Sequence, residues 1–166
     1  MGVRQYEDIP RIYVDMDGPQ ADYEREMIIS GIPSKRLKLI RGTYTRLTLV
    51  PGAREAILEL LRLKAEVFTL TKAPDGSVWA ASEKMEWQYA NMPELRDRII
   101  ITPDKGAVGR PCDYLIDDHP EWANAKNFPG TIIKFDAVYD QKTGRSTNNW
   151  EQIVYQLYSK LPLKKD

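Results

Sequence analysis

Short runs of apolar and β-branched residues recur along the chain, each closed by a polar or turn-forming residue. The runs are "RIYVD" (11–15), "EVFTLT" (66–71), "RIIIT" (98–102), "DYLID" (113–117) and "TIIKF" (131–135). They are too short for helices and nearly continuous in apolar character, so they predict five strands buried on both faces, the pattern of a parallel sheet. Between them the period changes. In "GAREAILELLRLKA" (52–65) Ala53, Ala56, Ile57, Leu60 and Leu61 fall at helical spacing after a proline, which predicts an amphipathic helix. A second helix is predicted from a Ser77 cap through about Tyr89, with Val78, Met85 and Tyr89 turned inward. A third starts at Asn148 or Asn149 and carries Trp150, Ile153, Val154, Leu157 and Leu161.

Strands alternating with helices predict an α/β fold, a Rossmann-like three-layer sandwich around a parallel five-stranded sheet. The interval from 19 to 51 breaks the rhythm, because more than thirty residues separate the first strand from the first sheet-covering helix. It reads as an insertion. With 166 residues and neither a composition shift nor an internal repeat, residues 1–166 read as a single domain.

Composition changes this picture only by exclusion. Hydrophobic content of 42%, 29% charged residues and four tryptophans belong to a folded chain. Lysine plus arginine balance aspartate plus glutamate at 24 each, so no overall field draws nucleic acid or a membrane surface, and no stable nucleic-acid complex is expected. Cys112 is the single cysteine and His119 the single histidine, which excludes an intrachain disulfide and a thiolate or imidazole zinc cluster and suits a reducing, cytoplasmic setting. The N-terminal "MGVRQYEDIP" lacks an apolar signal region, Tyr6 stands where a myristoylation signal has serine or threonine, and no apolar run approaches membrane-span length.

Chemistry gathers where strands end. Asp15 and Asp17 follow the first run, Thr71 closes the second, Lys105 lies beyond the third, and Asp117 and Asp118 close the fourth. In a parallel sheet these meet at the carboxyl edge, where ligands of such folds bind. Singly each has a bland reading. Asp-x-Asp-Gly is a common turn, Thr71 an ordinary strand residue, Lys105 a solvated charge and Asp118 a cap for a helix near Pro120. Together they crowd four carboxylates around one lysine, and two unit charges about 4 Å apart repel by about 4 kcal/mol at an effective dielectric of 20. A hard cation such as Mg2+, which accepts oxygen ligands and binds phosphate as well, fits that environment. His119 reads as a loop end, and neither a dinucleotide fingerprint nor a Lys-Ser/Thr phosphate loop is present.

In order and spacing, "VDMDG" (14–18), "TLT" (69–71), "DKG" with Lys105 and "LIDD" (115–118) resemble the four motifs of the haloacid dehalogenase superfamily of phosphatases. The stretches "YVDMDGPQADYE", "VFTLTKAP" and "TPDKGAVGRPCDYLIDDHP" are similar to its 5'(3')-deoxyribonucleotidase branch. The resemblance implies a magnesium-dependent phosphomonoester hydrolase of nucleotide metabolism, monomeric or homodimeric, working through an aspartyl-phosphate. It implies Asp15 as nucleophile and Asp17 as general acid and base. The metal would be held by Asp15, the main-chain carbonyl of Asp17 and Asp118, with Asp117 in or near its shell. Thr71, Lys72 and Lys105 would meet the phosphate, and Tyr23 would stack on a base. The insertion at about 19–51 would be a small helical cap, shorter than the family's usual one.

The chain departs from the family pattern at Pro19, Gln20 and Lys72. The insertion also holds "SKRLKLIRGTYTR" (34–46), where Lys35, Arg36, Lys38, Arg41 and Arg46 occur without an acidic residue. This is either a basic lid or a solvated face. A (deoxy)nucleoside monophosphate is the expected substrate. The alternatives are another small phosphate, a polynucleotide end, or a catalytically silent phosphate-binding module. A response-regulator receiver shares the residue types, but its phosphorylated aspartate lies on a later strand, with the threonine and lysine following it.

Overall fold

The five apolar runs become the strands of one parallel sheet: β1 (Arg11–Val14), β2 (Glu66–Thr71), β3 (Ile99–Ile101), β4 (Tyr114–Asp117) and β5 (Thr131–Lys134), in the order β3-β2-β1-β4-β5. The structure, a computed structural model, describes residues 9–165; Tyr6 and the other residues before Ile9 in the N-terminal stretch read above lie outside the described residues. β1 is central, with Tyr13 in register between Phe68 and Leu115. Because side chains alternate across a strand, Ile12, Val14, Val67, Ile116 and Ile133 share one face and Tyr13, Leu70 and Leu115 the other.

The first face is covered by α3 (Ala53–Leu60) and α5 (Trp150–Tyr158), preceded in the chain by α1 (Tyr23–Ser30), α2 (Ser34–Leu37) and, between α3 and α5, α4 (Ala80–Asn91). Ala53, Ala56, Ile57 and Leu60 of α3 are buried as their spacing predicts, although the helix ends at Leu60 and residues 61–65 turn. In α5 Trp150, Ile153 and Leu157 are buried, and Asn148 Oδ1 accepts the N–H of Trp150 at 3.1 Å. The second face carries Phe128 and the 3₁₀ turns Lys105–Ala107 and Ala125–Asn127. The connections between β3 and β4 and between β4 and β5 that form this layer run as turns and 3₁₀ segments rather than as crossover helices.

Two expectations are corrected. α4 begins at Ala80, three residues after Ser77, whose Oγ accepts the Ala80 N–H at 3.2 Å. Its inward face is not Val78, Met85 and Tyr89, all of which are exposed, but Ala80, Glu83, Lys84, Trp87 and Gln88. Ala80 and Trp87 pack with Met16, Ala21, Tyr44 and Leu47, while Glu83, Lys84 and Gln88 turn in because they meet polar partners there. A hairpin, β6 (Ala137–Asp140) with β7 (Arg145–Asn148), was not expected. Its residues are largely exposed and leave no apolar run.

The stretch 19–51 holds α1 and α2 and is tied down at both ends. Asp22 caps α1 by accepting the Arg25 N–H at 3.0 Å, and Asp22 N–H reaches Thr48 O at 2.8 Å. The buried Glu83 of α4 accepts the N–H groups of Gly42 and Tyr44 at 2.7 and 3.3 Å, and Trp87 Nε1 donates to Leu47 O at 2.8 Å. Among the described residues no helix is long and apolar enough to cross a membrane.

Candidate active site

At the carboxyl edge of the sheet, Asp15 follows β1 and Asp117 closes β4, its neighbour in the sheet. Asp15 Oδ1 accepts the Met16 N–H at 2.9 Å and lies 2.9 Å from Lys105 Nζ. Lys105, 4% exposed, also reaches Asp117 Oδ2 at 2.6 Å. The other Asp117 oxygen accepts the His119 N–H at 2.8 Å. Asp15, Asp117 and Asp118 each offer a carboxylate oxygen, all within 4.8 Å of one another.

This arrangement carries an excess of negative charge. Burial opposes the Lys105 ammonium, but the charges of Asp15 and Asp117 outweigh it and hold the lysine protonated well above its ordinary range. Burial, then the charges of Asp15 and Asp117, push Asp118 up to about 9, and a side-chain hydrogen bond to Asp15 adds to the rise. Burial and Asp15 likewise raise Asp117 against the pull of Lys105. Three hard oxygen donors crowded around the Lys105 ammonium, with Asp117 and Asp118 both raised, fit Mg2+.

The sign of the resulting pH dependence follows. An Asp118 pKa raised from 3.8 to about 9 means that the folded, metal-free protein keeps a proton the unfolded chain loses, so stability falls as pH rises through that window. Mg2+ binding needs the ionised form and recovers the loss. The thermal shift produced by Mg2+ over EDTA should therefore be larger at about pH 8 than at about pH 5; equal shifts at the two pH values would contradict the assignment.

Gly18 shapes the same corner. It has φ +104, and a Cβ there would lie 2.2 Å from Asp118 Oδ2. Gly18→Ala should cost about 1–3 kcal/mol of stability from backbone strain and should weaken Mg2+ binding by displacing Asp118. Chemical denaturation and Mg2+ titration check both effects, and an unchanged metal affinity would count against Asp118 as a ligand.

Asp17 has a different cation. Its Oδ2 lies 2.7 Å from Nζ of Lys84, which is 1% exposed, donates to Thr71 Oγ1 at 2.9 Å and sits 4.7 Å over the Tyr44 ring. Asp17 Oδ1 is buried with no hydrogen-bond partner, a polar atom left for a ligand. Lys84 was missed in the sequence because a lysine within a charged helix reads as solvated. Its one signal was the stripe Ala80, Glu83, Lys84, Trp87 and Gln88 at helical spacing.

Other expected residues fall into place unevenly. Tyr23 is half-buried, its ring 6.1 Å from Tyr44 at 22°, and its hydroxyl donates to Ser34 O at 3.3 Å. Burial, and more weakly the nearby Asp17 charge, raise its phenol pKa, so Tyr23 borders the site. Lys72 turns its ammonium to Asp75 Oδ2 at 3.3 Å and does not join the acidic group. Gln20, which stands where the family is apolar, is wholly buried. Its Nε2 lies within 3.2 Å of Val14 O, Asp15 O and Thr69 Oγ1, and its Oε1 accepts from Gln88 at 3.0 Å. Pro19 O accepts from Trp150 Nε1 at 2.8 Å. In the basic stretch Arg46 pairs with Glu26 at 2.7 Å and Arg41 covers the Trp79 ring at 5.0 Å, whereas Lys35 and Arg36 are exposed.

A family model described as "5' nucleotidase, deoxy (Pyrimidine), cytosolic type C protein" matches residues 34–162. The chain belongs to this family. The match spans Thr71, Lys84, Lys105, Asp117 and Asp118 of this nucleotidase-family phosphatase, while Asp15, Asp17 and Tyr23 precede it. A haloacid dehalogenase-like family hydrolase from Xanthomonas campestris, known as a crystal structure, shares the fold. It is 15% identical, with 95% of each chain covered and a TM-score of 0.54. No curated protein matches.

Proposed function

We propose that this phosphatase hydrolyses (deoxy)nucleoside monophosphates with Mg2+, through an aspartyl-phosphate on Asp15. The observation that carries this reading is the separation of the two aspartates. Asp15 joins Lys105 and the acidic group, while Asp17, two residues on, is held apart by Lys84.

A carboxylate oxygen of Asp15 attacks phosphorus in line, the bond to the ester oxygen breaks, and the proton on Asp17 passes to that leaving oxygen. Water then attacks the phosphoryl group, Asp17 takes its proton, the Asp15–phosphorus bond breaks, and phosphate leaves. Lys84 orients Asp17 during both transfers. Thr71 and the adjoining main-chain amides, that of Lys72 among them, hold the phosphate, and Lys105 offsets charge at the nucleophile. Asp15, the main-chain carbonyl of Asp17 and Asp118, with Asp117 beside them, would hold Mg2+, which would supply further neutralisation of the phosphate oxygens. Residues 19–51 act as a cap on a single domain, with Tyr23 as a stacking surface for the base. The family description and the lone cysteine support a cytoplasmic setting.

A phosphate-release screen over nucleoside monophosphates, sugar phosphates and oligonucleotide ends tests this. Nucleoside monophosphates should be the best group, and activity should disappear in EDTA and return with Mg2+. Turnover that persists in excess EDTA would remove the metal from the mechanism. A best substrate among sugar phosphates or oligonucleotide ends would replace the nucleotidase reading with a different phosphatase.

A further inference from the structure

Next to Asp118 lies a surface that the mechanism leaves unused. Trp122 is 62% exposed, whereas the other three tryptophans are buried or half-buried. It belongs to none of the hydrophobic clusters of the core. Its ring lies parallel to that of His119, with centroids 3.8 Å apart at 17°. His119 in turn places Nε2 3.6 Å from Asp118 Oδ2 and Nδ1 2.9 Å from Glu121 Oε1. The indole is thus one ring removed from the phosphate end of the site, with one face on His119.

The backbone holds this indole in place at a cost. Ala123 and Asn124, which follow it, have φ of 51 and 55. Two successive non-glycine residues in the left-handed region persist only where their surroundings impose them. The surroundings are the turn that bears Lys105. Ala123 O accepts the Lys105 N–H at 2.8 Å, Asn124 Nδ2 donates to Asp104 Oδ1 at 2.8 Å, and Trp122 N–H bonds His119 O at 2.9 Å. The approach is close enough that a Cβ on Gly106 would lie 2.7 Å from Asn124 O. The strained turn leads into the 3₁₀ segment that buries Ala125 and at the same time fixes an exposed aromatic, itself outside the core, relative to Lys105 and Asp118.

We propose that Trp122 is a specificity-determining residue that stacks on the face of the substrate's nucleobase that Tyr23 leaves open. This deepens the nucleotidase reading and rests on it. In a nucleoside monophosphate the base is separated from phosphorus by the sugar, so a stacking surface belongs beside the phosphate site rather than in it. An aromatic plane fixed one ring from Asp118 meets that requirement. Stacking draws on the π-face that every base has, so the contact selects for a base and tolerates changes in its identity. The His119 ring braces the indole from behind, which limits the ordering needed on binding.

The test compares dTMP with deoxyribose 5-phosphate, which has the same phosphate and sugar but no base. In Trp122→Ala the ratio of kcat/KM for dTMP to that for deoxyribose 5-phosphate should fall about tenfold, through KM for dTMP, and Trp122→Phe should regain most of it. Trp122 fluorescence should be quenched when dTMP, but not deoxyribose 5-phosphate, is added to Asp15→Asn protein. A ratio left at the wild-type value, whether or not both activities drop together, overturns the role of Trp122 while leaving the nucleotidase reading intact. A wild-type enzyme with no preference for dTMP over deoxyribose 5-phosphate overturns both.

Discussion

Asp15→Asn should leave a folded protein with almost no phosphatase activity, a loss of roughly ten-thousandfold or more, as expected when the nucleophile of a covalent mechanism is removed. The asparagine amide has nearly the same shape but does not form the phosphoanhydride. The fold should tolerate the change. Lys105 keeps its 2.6 Å contact with Asp117, and the substitution removes one of three crowded carboxylates. Repulsion in the metal-free protein therefore falls, and its melting temperature should hold or rise. Steady-state kinetics with a thermal melt checks both. Near-normal turnover, or trapping experiments that label Asp17, would reassign the nucleophile.

Lys84→Met should be nearly as damaging, for a different reason. Methionine matches the length of the buried stem, but the change strips Asp17 and Thr71 of their common donor. Removing one partner of a buried ion pair costs about 3–5 kcal/mol when the other charge remains enclosed. The loss here should lie at the low end, because the Asp17 side chain is 27% exposed and water reaches it. Activity should fall roughly a hundredfold or more, within the range supplied by general acid and base catalysis, with kcat affected more than KM. Lys142→Ala, on the exposed hairpin turn, is the control for lysine loss. A kcat within twofold of wild type in Lys84→Met would show that Asp17 needs no such partner.

What was legible in the sequence and what was not divide along a physical line. The five strands showed because burial on both faces requires continuous apolar runs, and Asp15, Thr71, Asp117 and Asp118 showed because they stand at or just beyond strand ends. Lys105 was legible only through its place in the motif order. Glu83, Lys84 and Gln88 were illegible because an inward polar face and a solvated one have the same helical period. Their partners are the Gly42 N–H, Asp17 and Gln20, which lie 41, 67 and 68 residues away in sequence. The hairpin of β6 and β7 escaped because an exposed antiparallel pair needs little apolar character. The turns of the outer layer escaped because a strand-to-strand connection names its length but not its conformation.

The hydrogen bond from Trp150 Nε1 to Pro19 O gives the protein a time order. The loop that bears both aspartates leaves the ribosome more than a hundred residues before the side chain that braces it. β1, the central strand, must likewise wait for β4, more than a hundred residues later, to cover its second edge. A nascent chain thus carries Asp15 and Asp17 through more than a hundred further residues of synthesis before this brace exists.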